Sequence, residues 1–228
     1  MNNILLLHGA IGSKVQLQPL AKMLENNAEV LSMDFPGHGE RPSIKDNFSI
    51  EFFAQDVIRF LNTQQQKQVD IVGYSMGGYV ALYLAKNYSN YVGKIVTLAT
   101  KFYWDEAVTM KEIKMLSSEK ILEKLPAFAQ TLEKRHVASS WKVVLNKTQT
   151  MLQHMGQNNP LKLNDYSNIN HDCLITLGDR DKMVSLAETH DVYNTLPNAT
   201  FAVIPNTPHP IEQVNLDIFA SCIKQFFQ

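Results

Sequence analysis

The 228-residue sequence predicts an α/β fold in which helices cover both faces of a mostly or wholly parallel, six-stranded sheet. Short apolar runs alternate with longer amphipathic patterns, and this rhythm indicates strand–helix–strand crossover units. The apolar runs are continuous, as in strands that are buried on both faces of a parallel sheet. Hydrophobic residues make up 45% of the chain and charged residues 19%, so the composition supports a domain with a large core.

The first hundred residues contain four predicted strands separated by three predicted helices. The strands are expected at 4–7, 30–33, 69–72 and 95–99, and the helices at 15–26, 48–61 and 76–88. The same rhythm returns near the end of the chain, with strands at 173–177 and 201–204 and helices at 185–196 and 211–227. Six strands joined in this way predict one sheet built from both ends of the chain.

Residues 101–167 interrupt the rhythm, since they contain helix-like segments rich in Lys, Glu, Leu and Met but no convincing strand. A structureless insertion of this length is unusual in a compact domain. We therefore interpret the segment as a helical cap, inserted after the fourth strand and lying over the carboxyl ends of the strands. The core then comprises 1–100 and 168–228. In the alternative interpretation, these helices extend the layer that flanks the sheet.

The run Gly-Tyr-Ser-Met-Gly-Gly at 73–78 is the strongest chemical signal in the sequence. It follows a predicted strand and opens a predicted helix, which is the context in which a Gly-x-Ser-x-Gly motif presents a nucleophilic serine. The sharp turn leaves no room for side chains beside the nucleophile, which accounts for Gly73 and Gly77. The following helix directs its positive dipole end at the reacting carbonyl. The motif and its context therefore predict Ser75 as the nucleophile.

A serine hydroxyl needs a base, usually a histidine held by a carboxylate. Among seven histidines, His209 stands after the last predicted strand, where side chains of a doubly wound sheet reach the site. His8 and His38 also follow strands, but each lies in a glycine turn that suits a structural hydrogen bond. The other histidines are expected away from the site: His171 precedes its strand, and His136, His154 and His190 sit in helical patterns and are predicted to face solvent.

Two aspartates, Asp179 and Asp181, follow the predicted strand at 173–177 and compete for the role of orienting acid. Geometry leaves the choice open, because one of them can serve to cap the turn. Acyl transfer also needs hydrogen-bond donors for the oxyanion. The predicted donors are the backbone amides of Met76, directly after the nucleophile, and of Ala10, in the glycine-containing loop after the first strand.

Together these motifs resemble the α/β-hydrolase superfamily over essentially the whole chain. The resemblance is carried by the runs at 7–10 (Leu-His-Gly-Ala), 34–39 (Asp-Phe-Pro-Gly-His-Gly), 73–78 and 178–184 (Gly-Asp-Arg-Asp-Lys-Met-Val) and by His209, in the family's order of nucleophile, acid and histidine. It implies that Asp181 rather than Asp179 is the acid. It agrees with Ala10 as part of the oxyanion hole.

Members of this family commonly begin with an antiparallel strand pair, for which the first predicted strand, at 4–7, leaves no room. The resemblance therefore implies a reduced, wholly parallel sheet of the α/β-hydrolase fold, with the strand at 30–33 at one edge. An exposed edge strand presents unpaired backbone groups. We expect this edge to offer a pairing surface for a homodimer.

The motifs and the resemblance predict a serine hydrolase, similar to small carboxylesterases, that cleaves an ester or related acyl bond of a small molecule through an acyl-enzyme. No metal or organic cofactor is expected. Two alternatives stay open: a synthase or lyase of the menaquinone-pathway type acting on an anionic substrate, and a hydrolase-fold ligand receptor with little turnover. Residues 101–167 hold ten Lys and Arg against seven Asp and Glu, an excess that suits an anionic substrate and equally a solvated surface.

Large apolar side chains are expected to line the acyl pocket. The alternative for those in the predicted cap is that they form the cap's own core. The predicted substrate contacts are Tyr74, Phe102, Trp104 and Trp141.

Composition gives no reason to expect a nucleic acid, a membrane or a metal as partner. The formal net charge is −1, and no apolar stretch approaches the ~20 residues of a membrane span. The two cysteines, Cys173 and Cys222, are expected as buried thiols, and no histidine cluster has ligand spacing. No secretion signal is recognised at the N-terminus, so a cytoplasmic location is expected.

Overall fold

The computed structural model describes residues 3–25 and 29–228 and contains one wholly parallel sheet. Its strands are β1 (Ile4–Leu7), β2 (Val30–Met33), β3 (Val69–Tyr74), β4 (Val92–Leu98), β5 (Cys173–Gly178) and β6 (Ala199–Ile204). Their spatial order is β2-β1-β3-β4-β5-β6, and every neighbouring pair is parallel. This confirms the predicted six-stranded parallel sheet with the second strand at one edge.

Helices flank the sheet and fill the interval between β4 and β5. They are α1 (Gln18–Leu24), α2 (Ile50–Thr63), α3 (Met76–Asn87), α4 (Glu106–Met115), α5 (Ser118–Lys124), α6 (Pro126–Arg135), α7 (Trp141–Gln157), α8 (Leu186–Thr195) and α9 (Leu216–Phe227). Short 3-10 helices occur at Lys14–Leu17, Ser89–Tyr91, Leu163–Asn168 and Ile211–Gln213. None of these helices, in the part of the chain that the structure describes, is both long and apolar enough to cross a membrane.

Side-chain caps determine where several helices begin. Ser49 accepts a hydrogen bond from the Phe52 amide at 3.0 Å, so α2 begins at residue 50 and not at 48. The predicted helix at 211–227 is divided, because Asn215 caps a new helix after the short 3-10 turn. The predicted first helix is a 3-10 turn followed by α1, and its predicted end at residue 26 lies outside the described residues, as do residues 1–2 of the predicted core.

Strand β4 begins three residues earlier than its apolar run predicts. Gly93 and Lys94 interrupt that run, but the Lys94 amide donates to the buried Asp70 carboxylate on β3 at 2.7 Å. The Asp70 carboxylate thus gives the Lys94 amide a hydrogen-bond partner on the neighbouring strand, and β4 extends to residues that the apolar run does not include. At its other end β4 stops at Leu98, because Ala99 adopts a left-handed conformation with φ of 54°.

Alternate residues of the strands enter two hydrophobic cores, one on each face of the sheet. On β1, Leu5 and Leu7 join the core formed with α2 and α3, whereas Ile4 and Leu6 join the core formed with α1 and α9. All four side chains are buried, which explains why the strand reads as a continuous apolar run. The two layers hold the strand ends rigidly where the site residues begin.

The segment 101–167 contains helices α4 to α7 and no strand among its described residues. Helix α7 packs against α4, and α6 packs against both α5 and α7. A separate small core holds α5, α6 and α7 together, with members Ile121, Ala129, Leu132, Trp141 and Leu145. The predicted helical character of the segment is therefore present, while its role as a cap remains a prediction.

Candidate functional site

Ser75 occupies a strained turn between the end of β3 and the start of α3. Its φ and ψ are 51° and −117°, a conformation that costs energy for a residue with a side chain. Its amide donates to the Leu98 carbonyl at 2.8 Å, which anchors the turn on the neighbouring strand. A Cβ at Gly73 would lie 2.4 Å from the Gly78 nitrogen, and one at Gly77 would lie 2.3 Å from the Leu7 oxygen. Glycine is therefore required on both sides of the turn.

His209 follows β6 and brings its imidazole to the Ser75 hydroxyl. The distance from Ser75 Oγ to His209 Nε2 is 3.5 Å. The other ring nitrogen, Nδ1, donates to Asp181 Oδ2 at 2.7 Å. The Tyr74 hydroxyl donates to the backbone oxygen of His209 at 3.0 Å and so holds the loop that carries the ring. Three side chains from the ends of three strands thus form one hydrogen-bonded series.

The two candidate aspartates have different partners. Asp181 directs one carboxylate oxygen to His209, and its other oxygen accepts the amides of Met183 and Val184, both at 2.8 Å. Burial opposes the charged form of Asp181, but these hydrogen bonds and the His209 ring prevail and lower its pKa below the ordinary value. Asp179 instead accepts the Thr207 amide at 3.0 Å, so it stabilises the loop before His209.

The loop after β1 contributes Ala10 to the cavity that contains Ser75. Ala10, Ser75 and Met76 line the same cavity. Met76 is the first residue of α3, so its amide has no partner within that helix. The next residue of the loop, Ile11, has φ of 52°, an uncommon conformation for a β-branched side chain.

The Ile11 carbonyl is held by two side chains from the end of α6. Arg135 Nη1 donates to it at 3.0 Å, and His136 Nε2 donates to it at 3.1 Å. Nδ1 of His136 accepts the Gly39 amide at 3.1 Å, which identifies the tautomer with hydrogen on Nε2. The segment 101–167 is therefore bonded directly to the loop that contains Ala10. The sequence pattern did not indicate this contact, because it joins residues that are more than a hundred positions apart.

Three histidines that are not in the series with Ser75 form a buried group. His8, His38 and His136 have ring centroids 5.2 and 5.6 Å apart in turn. The prediction that His136 faces solvent is wrong, because its ring lies between the loops that carry Ile11 and Gly39. Burial lowers the pKa of His8 and of His136 to about 4, and burial also holds the pKa of His38 well below its ordinary value. His8 and His38 make the local hydrogen bonds expected of structural residues, with Gly9 and Pro36.

A cavity of about 270 Å³ opens above Ser75 and His209. Its walls come from the sheet's strand ends and from α4, α6 and α7, and five of its lining residues are methionines. Tyr74 and Trp104 belong to the lining. The apolar and sulfur-containing lining residues are Ala10, Ile11, Ile50, Met76, Trp104, Met115, Leu116, Phe128, Met151, Leu152, Met155, Met183 and Pro210.

Two of the four predicted substrate contacts lie outside this lining and need correction. Phe102 packs edge-on against Tyr166, with ring centroids 5.8 Å apart, in the core shared with the sheet. Trp141 belongs to the small core of the segment 101–167. Both rings are more than nine-tenths buried, because each packs against other elements and does not face the cavity.

The cations in the cavity wall already have anionic partners. Arg135 Nη2 lies 3.0 Å from a carboxylate oxygen of Glu212, which also accepts a hydrogen bond from Gln16 at 2.7 Å. Lys101 Nζ lies 3.6 Å from Glu188 and donates to the Met183 carbonyl at 3.0 Å. Neither cation is free to neutralise a negatively charged ligand without losing one of these contacts.

Comparison with known proteins identifies one family model, that of the alpha/beta hydrolase fold, which matches residues 2–170. Among curated proteins, 2-(acetamidomethylene)succinate hydrolase of Mesorhizobium japonicum is 20% identical over 98% of this chain and 87% of its own length. Esterase YbfF of Escherichia coli is 32% identical over 42% of this chain and 37% of its own length. Several other curated relatives match over less than half of their own length, including 6% of the chloroplastic protein PHYLLO of Arabidopsis thaliana.

Solved structures resemble the chain over nearly its whole length. The structure of MenH from S. aureus has a TM-score of 0.79 at 24% identity and covers 99% of this chain and 93% of its own. The enol-lactonase from Burkholderia xenovorans LB400 has a TM-score of 0.81 at 16% identity and covers 99% of this chain and 91% of its own. At these identities the similarity establishes the fold.

Proposed function

The chain belongs to the alpha/beta hydrolase fold family, and on that premise we propose that it is a serine hydrolase that cleaves an ester or related acyl bond of a small molecule. Because one fold supports many activities, the proposal depends on the site and not on the family alone. The observation that carries it is the hydrogen-bonded series from Ser75 through His209 to Asp181. This is the arrangement that converts a serine hydroxyl into a nucleophile.

In the first step, Ser75 Oγ attacks the substrate carbonyl carbon and His209 Nε2 takes the hydroxyl proton. The 3.5 Å separation is typical of a free site, in which such hydrogen bonds shorten when substrate binds. Asp181 keeps hydrogen on Nδ1, so that Nε2 is the basic nitrogen, and stabilises the imidazolium that forms. The amides of Ala10 and Met76 donate to the oxyanion of the tetrahedral intermediate.

Collapse of the intermediate breaks the bond to the leaving group. His209 returns its proton to the departing alkoxide, and the acyl group remains on Ser75 Oγ as an ester. A water molecule then gives its proton to His209 and attacks this ester. The second tetrahedral intermediate releases a carboxylic acid and restores the Ser75 hydroxyl with the proton held on His209.

The cavity favours an apolar acyl group over an anionic one. Its methionine side chains are flexible and adapt to chains of different shape. Arg135 and Lys101 are each occupied by a carboxylate, which weakens the case for a synthase or lyase that relies on a cationic pocket. A hydrolytic enzyme with an adaptable acyl pocket is the better account of these contacts.

The proposal is tested by labelling the purified protein with a fluorophosphonate and by measuring turnover of short p-nitrophenyl esters. We expect covalent labelling of Ser75 and multiple turnovers per chain. The Ser75→Ala variant should lose both, because it lacks the attacking oxygen. The Ser43→Ala variant is a matched control, since Ser43 is exposed and does not line the cavity, and it should behave like the parent protein.

Two results would contradict the proposal in different ways. Full ester turnover by the Ser75→Ala variant would show that Ser75 is not the nucleophile. Labelling followed by a single turnover, together with a ligand-dependent rise in melting temperature, would favour a ligand receptor over an enzyme.

A further inference from the structure

One charged side chain in the cavity wall has no partner among the described residues. Glu112 on α4 is only 6% exposed and lines the cavity together with Ser75 and His209. The structure gives its carboxylate neither a hydrogen bond nor an ion pair with any described residue. The carboxylate oxygens keep accessible surface, so they are reached from the cavity and are open to a ligand there.

Glu112 lies on a face of α4 whose next members are apolar. Residues three and four positions apart share one face of a helix, and the next members of this face, Met115 and Leu116, are apolar cavity residues. The facing helix α7 has the same arrangement, in which Thr148 precedes Met151 and Leu152. An apolar residue at position 112 would make this face of α4 wholly apolar. Packing alone therefore does not account for a glutamate at this position.

The surrounding charges do not provide the missing partner. Arg135 and Lys101 reach the cavity, but their nearest carboxylates are Glu212 and Glu188. Thr148, also buried, has a hydroxyl with no hydrogen bond to the described residues, and it lines the same cavity. The cavity therefore combines apolar walls with one carboxylate and one hydroxyl that are open to a ligand.

We propose that Glu112 is a specificity-determining residue that binds a protonated amine on the substrate, with the Thr148 hydroxyl as a second acceptor. The inference rests on the proposed function, in that the cavity above Ser75 is the substrate site. An ammonium group suits a carboxylate in a mostly apolar wall, because charge-assisted hydrogen bonds are about twice as strong as neutral ones. The apolar side chains that line the same cavity as Ser75 and Glu112 suit a hydrocarbon linker that joins the amine to the acyl bond.

The test measures binding without turnover, so that it is independent of the catalytic proposal. In the Ser75→Ala background, the affinities of n-hexylammonium, hexan-1-ol and hexanoate are compared by calorimetry at pH 7. We expect the ammonium ligand to bind about ten-fold or more tightly than the alcohol, and hexanoate to bind most weakly. Butyl- and octylammonium then show which linker length the cavity prefers.

A substitution at position 112 tests whether the Glu112 carboxylate causes the preference for the ammonium ligand. Glu112→Gln keeps the shape of the side chain and removes the charge, so the ammonium-to-alcohol ratio should fall to within about two-fold of one. Glu106→Gln, at an exposed position on the same helix, should retain the parent ratio. Tighter binding of hexanoate than of hexylammonium, or an unchanged ratio in Glu112→Gln, would overturn the proposal.

A stability measurement separates a binding role from a structural one. If Glu112 is held for a ligand, replacing it by leucine completes the apolar helix face and removes a charge that no described residue neutralises, so the melting temperature of the ligand-free protein should rise. A structural glutamate would give a fall instead. If the parent protein shows no ester turnover, the hydrolase proposal is rejected, while the preference for ammonium can still be measured. If ester turnover is found without any preference for ammonium, only the role of Glu112 is rejected.

Discussion

His136 Nε2 donates a hydrogen bond to the Ile11 carbonyl at 3.1 Å, so a residue at the end of α6 holds the loop that contains Ala10. The bond joins positions 125 residues apart in the sequence. Ile11 itself is in a strained left-handed conformation, which needs support from its surroundings. We interpret His136 as a positioning residue, because it acts on the proposed oxyanion donor through the backbone.

Replacing His136 by phenylalanine should lower kcat about ten-fold with little change in KM. The ring volume is kept, but the hydrogen bonds to Ile11 and Gly39 are lost, and oxyanion stabilisation is sensitive to the position of the donor. Steady-state kinetics on a p-nitrophenyl ester measure the effect. His136→Gln, whose amide can both donate and accept, should recover part of kcat. Equal losses in both variants would argue against the positioning role.

The buried histidine group should make the protein unstable in mild acid. The pKa of His8 and His136 is about 4 in the folded chain, below the unfolded value of 6.5, so the unfolded chain binds more protons between these values. Stability is therefore complete above pH 6.5 and is lost as pH falls toward 4. One pKa unit corresponds to about 1.4 kcal/mol, so each of these two histidines contributes on the order of 3 kcal/mol to the loss.

Calorimetric melting temperatures between pH 7 and pH 4 check this dependence. The His136→Phe variant should show a shallower fall over the same range, because one of the titrating groups is absent. A melting temperature that stays constant from pH 6.5 to pH 4 in the parent protein would show that the histidines do not remain neutral in the folded state.

The two aspartates should differ sharply when each is changed to asparagine. In Asp181→Asn the side-chain oxygen is needed by the Met183 and Val184 amides, so the NH2 group faces His209 Nδ1 and favours the wrong tautomer. The negative charge that stabilises the imidazolium is also lost, so kcat should fall about a thousand-fold or more. Asp179→Asn keeps an oxygen that can accept the Thr207 amide, and it should change kcat by only a few-fold. Ester turnover by both purified variants provides the comparison. A larger loss in Asp179→Asn would reverse the assignment.

Gly77→Ala should prevent normal folding of the turn at Ser75. The added Cβ would lie 2.3 Å from the backbone oxygen of Leu7, and neither α3 nor β1 can move away within the packed core. We expect destabilisation of about 2 kcal/mol or more and loss of activity, measured by denaturant unfolding and ester turnover. Gly93→Ala, in the half-buried start of β4, is the matched control and should cost less. Equal unfolding free energies for the two variants would contradict the steric argument.

Much of the fold was predictable because each signal was local. Continuous apolar runs identify strands that are buried on both faces, and β1 is an example in which every residue enters one of two cores. The turn at Ser75 was predictable for the same reason, since its glycines are adjacent to it in sequence. The choice of His209 followed from its place after the last strand, and the structure brings that ring within 3.5 Å of Ser75.

The features that were not predicted depend on contacts between distant segments. His136 looked like a surface residue of a helical pattern, because nothing in its neighbours reveals that Gly39 and Ile11 surround it. Phe102 and Trp141 resembled pocket residues by type, but packing against other elements determines which aromatic rings face a cavity. Glu112 carried no signal as a single acidic residue on a charged helix. Its proposed role is recognised only when the structure shows that the side chain lines the cavity.

The hydrogen bond between Ser75 and His209 spans 134 residues, and this has a consequence for biosynthesis. Long-range contacts form after local ones, because the entropy of closing the intervening loop must first be overcome. A nascent chain can form the turn at Ser75 from its N-terminal half, but the proposed base, His209, is absent until β6 and the loop after it have been translated and docked. If Ser75 and His209 act as proposed, covalent labelling of Ser75 reports the completion of folding, and a chain truncated after β5 carries an inert serine.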